Sequence, residues 1–568
     1  MANLPTTKVI LCTCQGFIAG RLPLDHISQF LKEIAPGVEV DFSDDLCHSW
    51  FSHSVKQQVG DSCPVVMGAC AKFKLNSYFW GEPSSVSGFS YPIYVVDLLS
   101  SAKTASYSKA VLDRLKLLLW AKIKRINAFS RIRQDNLKVH FSLPRAEVTR
   151  RQFLATALPK HEIVPCIENS KCRGESKCGL CVNVCPKLAI SSQENEVFVD
   201  RNKCTGCGAC VTFCPYGAIH YPTFSLEELD SELEGLLLSN NIDLEPRIIA
   251  FVCETCLSTI INDDDNCITY PDNILPVRIP CLAMVSPWLI LRAFDMGAQG
   301  VVLISGQDKC QYDFEHTSWV SDVEFVKDLL HSWQIQAERV EFLQISRDNL
   351  PELRNILTYY AEKVSGLTLK PFKSNNPTII SEKGLQLSEL IQGMGRKTQY
   401  APSETITTGR VPFGKLKLDD CHCTGCGLCA ANCPTDALTI GYGNGYCDFE
   451  LLFQQNLCIS CSKCVDVCPE KCLQLQRILE LDKIYAGAYR LFKDDMFTCR
   501  NCGEYVAPIS MIIHLKEKLQ NLDNALIEQI ELCNRCKMEF RLTNRMKSLH
   551  AKAGTKNAIQ EIHSRGEE

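Results

Sequence analysis

The chain has 568 residues, which at roughly 150 per domain suggests about four domains. Its 60 basic and 65 acidic residues give a formal charge of −5, so nothing in the charge balance points to nucleic acid as a partner. The 34 cysteines are about 6% of the chain, below the density of short secreted disulfide scaffolds and far above ordinary reduced proteins, so metal thiolates in a reducing compartment are expected.

The first residues, MANLPTTKVILCTCQG, hold an apolar run of only Val9 to Cys12, too short for a signal-peptide core, and a cytoplasmic protein is expected. The most apolar stretch, Ile279 to Leu291, is broken by Pro280 and Pro287, so no transmembrane segment is expected either.

In chain order, KVILC (Lys8 to Cys12) and PVVMGAC (Pro64 to Cys70) read as strands with Cys12, Cys14 and Cys70 at their carboxyl ends, while Cys47 lies between them in DDLCHS. Cys63 begins its strand and so sits at the opposite edge. This segment resembles the N-terminal domain of the heterodisulfide reductase A subunit. The resemblance implies a further 4Fe-4S cluster on Cys12, Cys14, Cys47 and Cys70; the alternative is four packing thiols. The flavin domain that follows in that family is missing, and no G-x-G-x-x-G opens a helix. Between Leu112 and Arg133 apolar residues recur at helical spacing among seven basic ones. Such a helix covers a neighbouring domain, docks an acidic partner, or makes peripheral contact with a membrane surface.

Cys178, Cys181 and Cys185-Pro186 recur 29 residues later as Cys207, Cys210 and Cys214-Pro215. Cys423, Cys426, Cys429 and Cys433-Pro434 recur 35 residues later as Cys458, Cys461, Cys464 and Cys468-Pro469. This is the C-x2-C-x2-C-x3-C-P pattern of bacterial two-cluster ferredoxins, in which three cysteines wrap one 4Fe-4S cube and the fourth ligates the sister cube. A zinc site explains neither the third x2 interval nor the proline. Cross-ligation groups Cys423, Cys426, Cys429 with Cys468, and Cys458, Cys461, Cys464 with Cys433. In the first module it groups Cys204, Cys207, Cys210 with Cys185, and Cys178, Cys181, Cys214 with either Cys172 across a lengthened loop or Cys166. Four 4Fe-4S clusters follow.

Between the modules, RIIAFVCETC, PVRIPC and GVVLISGQDKC read as buried strands of a parallel sheet, with WLILRAFDMG as a helix. Cys253, Cys256, Cys281 and Cys310 then fall at the carboxyl edge, where parallel sheets place ligand sites. FVCETC, RIPC, FDMGAQGVVLIS and KCQY resemble the delta subunit of the methyl-viologen-reducing hydrogenase. The resemblance spans Arg247 to Lys363 and implies one 2Fe-2S cluster and electron passage between a hydrogenase or formate dehydrogenase and a heterodisulfide reductase. Here Ile304-Ser305 and Gln311 stand where that family has a glycine–cysteine turn and a histidine. Residues 365–415 read as a linker with one short helix, and GYGNG (Gly441 to Gly445) as a hairpin turn.

Near the end, Cys499, Cys502, Cys533 and Cys536 form two C-x2-C knuckles, the spacing of a tetrahedral thiolate site for zinc or a single iron. The chain therefore reads as multidomain α/β and α+β. Two small α/β domains with parallel sheets (1–150 and 226–364) are joined by two dicluster ferredoxin domains (160–225 and 416–482) and one four-cysteine metal ribbon (490–545). Six cysteines remain as packing residues: Cys63, Cys166, Cys267, Cys421, Cys447 and Cys472. The expected function is an iron–sulfur electron-transfer subunit working between an electron donor or acceptor protein and a catalytic oxidoreductase subunit. The alternative, an enzyme reducing a thiol or disulfide at its own cluster, lacks the adjacent Cys-Cys pair of the heterodisulfide reductase catalytic subunit.

Overall fold

A computed structural model describes residues 6–44, 63–69, 93–98, 108–136, 164–239, 241–253, 270–306, 318–346, 349, 352–367, 377–379, 386–398, 404–409, 411–519, 524–543 and 545–546. Cys47, Cys70, Cys256 and Cys310 lie outside them, as does Cys267. The chain divides into two units, Met1–Val411 and Pro412–Glu568.

In the first unit, apolar runs of five or six residues are too short for helices and form strands. β1 (Thr7–Cys12), β2 (Val38–Ser43), β3 (Val65–Ala69) and β4 (Ile93–Asp97) make a parallel sheet in the order 2-1-3-4. β5 (Cys166–Ile167), β6 (Ile190–Gln193), β7 (Glu196–Val199) and β8 (Ile219–His220) belong to the first ferredoxin module, pairing antiparallel as β5 with β8 and β6 with β7. β9 (Ile248–Cys253), β10 (Ile274–Ile279), β11 (Gly300–Gly306) and β12 (Val340–Ile345) form a second parallel sheet in the order 10-9-11-12. β9 and β11 are buried along their whole length, as strands covered on both faces must be.

The basic helix spans Lys109–Asn136 and covers a neighbouring helix, the first of the three roles its pattern allows. Leu115, Leu119, Ile123 and Ile126 are fully buried, so is the basic Arg125, and Arg114 is buried as well. The stripe lies on helix Leu226–Leu237: Lys122 and Arg125 both pair with Glu232, Lys124 Nζ lies 2.8 Å from Glu234, and Arg114 reaches Asp272 at 3.5 Å. These four charges are complemented inside the protein. The two helices meet closely at Gly235, where an added Cβ would lie 2.6 Å from the Ala121 Cα. Gly235→Ala gains about 1 kcal/mol of helix propensity but overpacks a backbone contact at a cost of about 1–3 kcal/mol. The expected result is a net loss, seen as faster amide hydrogen exchange in helix 226–237.

Residues expected as a linker pack instead on the second sheet's layer. Helix Gln386–Thr398 buries Leu390, Ile391 and Met394 completely. The fully buried Asp295, on helix Pro287–Asp295, accepts hydrogen bonds from the Thr378 N–H (2.7 Å) and Oγ1 (2.8 Å) and pairs with Arg292 (3.0 Å) and Lys397.

In the second unit, strands Leu438–Tyr442, Asp448–Phe453, Tyr489–Thr498 and Tyr505–Pro508 form an antiparallel sheet in that order, with GYGNG at its first hairpin. A separate pair, Lys415–Leu418 with Leu473–Gln476, closes the ferredoxin module antiparallel. The ten-residue strand Tyr489–Thr498 serves the ferredoxin core through Phe492 and runs directly into Cys499, so the ferredoxin module and the C-terminal cysteine segment share one sheet. Among the described residues, no helix is long and apolar enough to cross a membrane.

Candidate metal centres

Each half of the first ferredoxin module presents its sulfurs to the same backbone donors. Gly174 N–H donates to Cys172 Sγ and Gly206 N–H to Cys204 Sγ, both at 3.4 Å. Ala189 N–H donates to Cys185 Sγ at 3.2 Å and Ala218 N–H to Cys214 Sγ at 3.3 Å. Cys172 thus occupies the place in its half that Cys204 occupies in the other. Cys166 differs: its sulfur faces the Val164 carbonyl at 3.8 Å. Burial, then the charges of Cys214, Cys172 and Cys178, push the Cys181 thiol up to about 12. Cys210 is raised by burial and by Cys207, Cys204, Cys181 and Cys185. Cys214 is thus among the charges acting on Cys181 of the first motif, and Cys185 among those acting on Cys204 and Cys210 of the second, in keeping with the crossing of the ferredoxin pattern.

The second module holds two separate cavities. One is lined by Cys423, Cys426, Cys429 and Cys468 with Leu418, Phe449 and Leu451. The other is lined by Cys458, Cys461, Cys464 and Cys433 with Leu416, Leu438 and Phe453. Each takes three cysteines from one motif and the fourth from its sister. Burial pushes the Cys429, Cys458 and Cys464 thiols up to about 12, and the facing cysteines add to it. Four thiols so placed release their protons only to a cationic centre that offsets the charge. Apolar walls, convergent sulfurs and inward N–H groups are what an iron–sulfur cube needs, so these residues fit the group. One neighbour escapes the motif rule: Cys472 also lines the first cavity, with Sγ 3.5 Å from Cys468 Sγ.

In the second parallel sheet, Cys253 ends β9 in register with Ile279, the last residue of β10, and Cys281 follows two residues later. Both described cysteines therefore stand at the carboxyl edge. This edge touches the first ferredoxin module. Gly208, between Cys207 and Cys210 with φ +76°, packs on Met284 so closely that a Cβ would lie 2.9 Å from its Sδ. Met284 belongs to the turn Leu282–Met284 directly after Cys281. In the first sheet, Cys12 ends β1 and Cys14 follows with φ 51°. At the other edge, Cys63 Sγ faces the Thr6 carbonyl at 2.8 Å.

The C-terminal knuckles bring Cys499, Cys502, Cys533 and Cys536 together, with all four sulfurs within 4.8 Å of one another. Cys533 N–H donates to Cys499 Sγ at 3.2 Å and Asn501 Nδ2 to Cys536 Sγ at 3.4 Å. Desolvation raises the Cys499 thiol, but the N–H groups of Cys533, Asn501 and Cys502 outweigh it and bring it down to about 6. One thiolate favoured by amides, Cys499, beside three converging thiols suits a tetrahedral cation that would draw the remaining protons off.

Comparison with known proteins agrees with these geometries. Residues 248–368 match the family model of the methyl-viologen-reducing hydrogenase, delta subunit. Residues 169–188 and 197–220 match 4Fe-4S binding domains, and 422–473 a 4Fe-4S dicluster domain. The chain joins a hydrogenase delta-subunit domain to 4Fe-4S ferredoxin domains. It is 29% identical over 140 residues to an iron-sulfur subunit of the F420-non-reducing hydrogenase vhc of Methanococcus voltae, covering 95% of that protein and 24% of this chain. It is 28% identical over 201 residues to a subunit of the ferredoxin:CoB-CoM heterodisulfide reductase of Methanosarcina mazei, 35% of this chain but only 25% of that protein. An iron-sulfur subunit of the F420-non-reducing hydrogenase vhu of Methanocaldococcus jannaschii is 25% identical over 133 residues, 99% of its length and 23% of this chain. The chain thus spans nearly all of the hydrogenase subunits it matches and a quarter of the reductase protein.

Proposed function

We propose that this protein is an electron-transfer subunit of an oxidoreductase complex, carrying electrons between a catalytic subunit of the hydrogenase or heterodisulfide reductase kind and a second redox partner. The observation that carries it is the packing of the first ferredoxin module's Gly208 loop on Met284, beside the cysteine edge of the delta-subunit domain. Iron–sulfur clusters supply one-electron chemistry with little rearrangement. The chain's own residues hold each centre, exclude water with Leu and Phe walls, and orient N–H groups at the sulfurs. The ligands would be Cys172, Cys178, Cys181 and Cys214; Cys204, Cys207, Cys210 and Cys185; Cys423, Cys426, Cys429 and Cys468; and Cys458, Cys461, Cys464 and Cys433. Cys253, Cys256, Cys281 and Cys310 would hold a 2Fe-2S cluster, Cys12, Cys14, Cys47 and Cys70 a further 4Fe-4S cluster, and Cys499, Cys502, Cys533 and Cys536 zinc.

Anaerobic reconstitution of the full chain tests this. About 16–22 irons and one zinc per chain are expected from four to six clusters. A handful of irons with zinc throughout would sink the reading. Reduction of a disulfide by the isolated chain with an artificial donor would favour catalysis at one of its own clusters instead.

A further inference from the structure

The cavity of Cys423, Cys426, Cys429 and Cys468 holds a fifth thiol that the ferredoxin pattern does not require. Cys472 is 8% exposed, lies with Sγ 3.5 Å from Cys468 Sγ, and also hydrogen bonds to the sulfur of Cys423. It stands four residues after the cysteine of a Cys-Pro pair. The same position in the three sister repeats is Ala189, Ala218 and Ala437, each buried to 2% or less. Packing at this position is met by a methyl group. The extra sulfur of Cys472 instead points at two of the cavity's four ligand positions. Its backbone is held in place, because the Cys472 carbonyl accepts from the Asp419 N–H at 2.9 Å, so the Cα–Cβ direction is set by the sheet.

We propose that Cys472 is a positioning residue that tunes one of the four ferredoxin centres. Its S–H donates to the ligand sulfurs of Cys468 and Cys423 and so favours the reduced, more negative form of that centre. The centre of Cys458, Cys461, Cys464 and Cys433 has Ala437 at the matching position and lacks this donor. No bond to Cys472 forms or breaks: the proton stays on its sulfur, and the electron comes from the redox partner. Two otherwise similar centres in one module thereby acquire different potentials, which gives electron flow through the module a direction. Donors at ligand sulfurs raise reduction potentials generally. A thiol is a weak donor, so the expected effect is about threefold to tenfold in the reduced-to-oxidised ratio at fixed poise, tenfold being 59 mV for one electron.

This inference rests on the iron–sulfur reading above and is tested on the full-length, anaerobically reconstituted chain. Wild type, Cys472→Ala and Cys472→Ser are compared by iron content and by a redox titration followed by electron paramagnetic resonance. Alanine is what the sister repeats carry, so the variant keeps the module's packing. Iron content is expected to be unchanged in both variants. One component of the Cys472→Ala titration is expected to move to lower potential while the others stay, with Cys472→Ser, which keeps a donor, lying between. Superimposable curves would overturn the proposal, and so would loss of about four irons in Cys472→Ala, which would make Cys472 a ligand. Wild-type iron content reports separately on the cluster reading, so the two failures are distinguished.

Discussion

Cys433→Ser is expected to empty the centre of the motif that follows it, not that of its own. Cys433 closes the motif begun by Cys423, yet it lines the cavity of Cys458, Cys461 and Cys464. Cys468 lines the other. A serine oxygen is a poorer ligand than thiolate for an iron–sulfur cube, so the variant should lose about four irons of the module's eight. The decisive measurement is non-additivity, because residues that share one centre act as a unit. Cys433→Ser combined with Cys458→Ser should lose no more iron than either alone. Cys433→Ser combined with Cys423→Ser should lose about eight. The reverse pattern, in which Cys433 and Cys423 behave as one site, would show that each motif keeps its own fourth ligand. The same logic applies to Cys214 in the first module, whose charge neighbours include Cys172 and Cys181.

How far the sequence reveals these centres depends on whether spacing or partnership decides them. The two cavities of the second module follow from spacing alone, since three cysteines at x2 intervals leave the loop little choice of centre. Strands ending in Cys12 and Cys253 were likewise legible as short apolar runs bounded by turns. Between Cys172 and Cys166 the spacing leaves a choice, because KCRGESKC departs from the repeat; only the matching N–H donors at Gly174 and Gly206 distinguish the two. The basic helix was legible as a helix but not as an interior one. Periodicity gives the face on which Arg125 lies, not the presence of Glu232 more than a hundred residues away. Helix 386–398 was hidden in the same way: its polar flanks suggest a tether, while Leu390, Ile391 and Met394 find a core that no local pattern announces. Cys472 was the subtlest case. An alanine-sized slot is a natural place for a small buried thiol, and only the 3.5 Å approach to Cys468 sets it apart.

Arg125→Ala should strongly destabilise the first unit, at a residue outside the metal sites. The guanidinium is 1% exposed, pairs with Glu232, donates to the Thr223 carbonyl, and lies over the rings of Phe224 (4.8 Å) and Tyr94 (5.1 Å). Removing one member of a buried ion pair costs about 3–5 kcal/mol, because the remaining charge stays in a poorly solvating site. Here Lys122 still reaches Glu232, which places the expectation at the lower end. The pH dependence has a definite sign. In the wild type, burial raises the Glu232 carboxyl but the charges of Lys122 and Arg125 outweigh it, so the group is held below its ordinary value. A depressed carboxyl adds stability at neutral pH that is lost as pH falls through the folded value. Without Arg125 part of that depression disappears, so the deficit of the variant should be largest near neutrality and shrink as pH falls below the ordinary 4.5. Hydrogen exchange across helices 109–136 and 226–237, measured at pH 7 and at pH 4, reads both effects. Adding Glu232→Ala to Arg125→Ala should cost less than the sum of the two single changes, as expected for partners in contact. Helix 226–237 leads through Arg247, whose guanidinium binds the Leu237, Ser239 and Ile242 carbonyls, into β9 and Cys253. The loosened helix pair should therefore weaken iron retention first at the cluster proposed for Cys253 and Cys281, while the module of Cys423 to Cys468 keeps its eight irons.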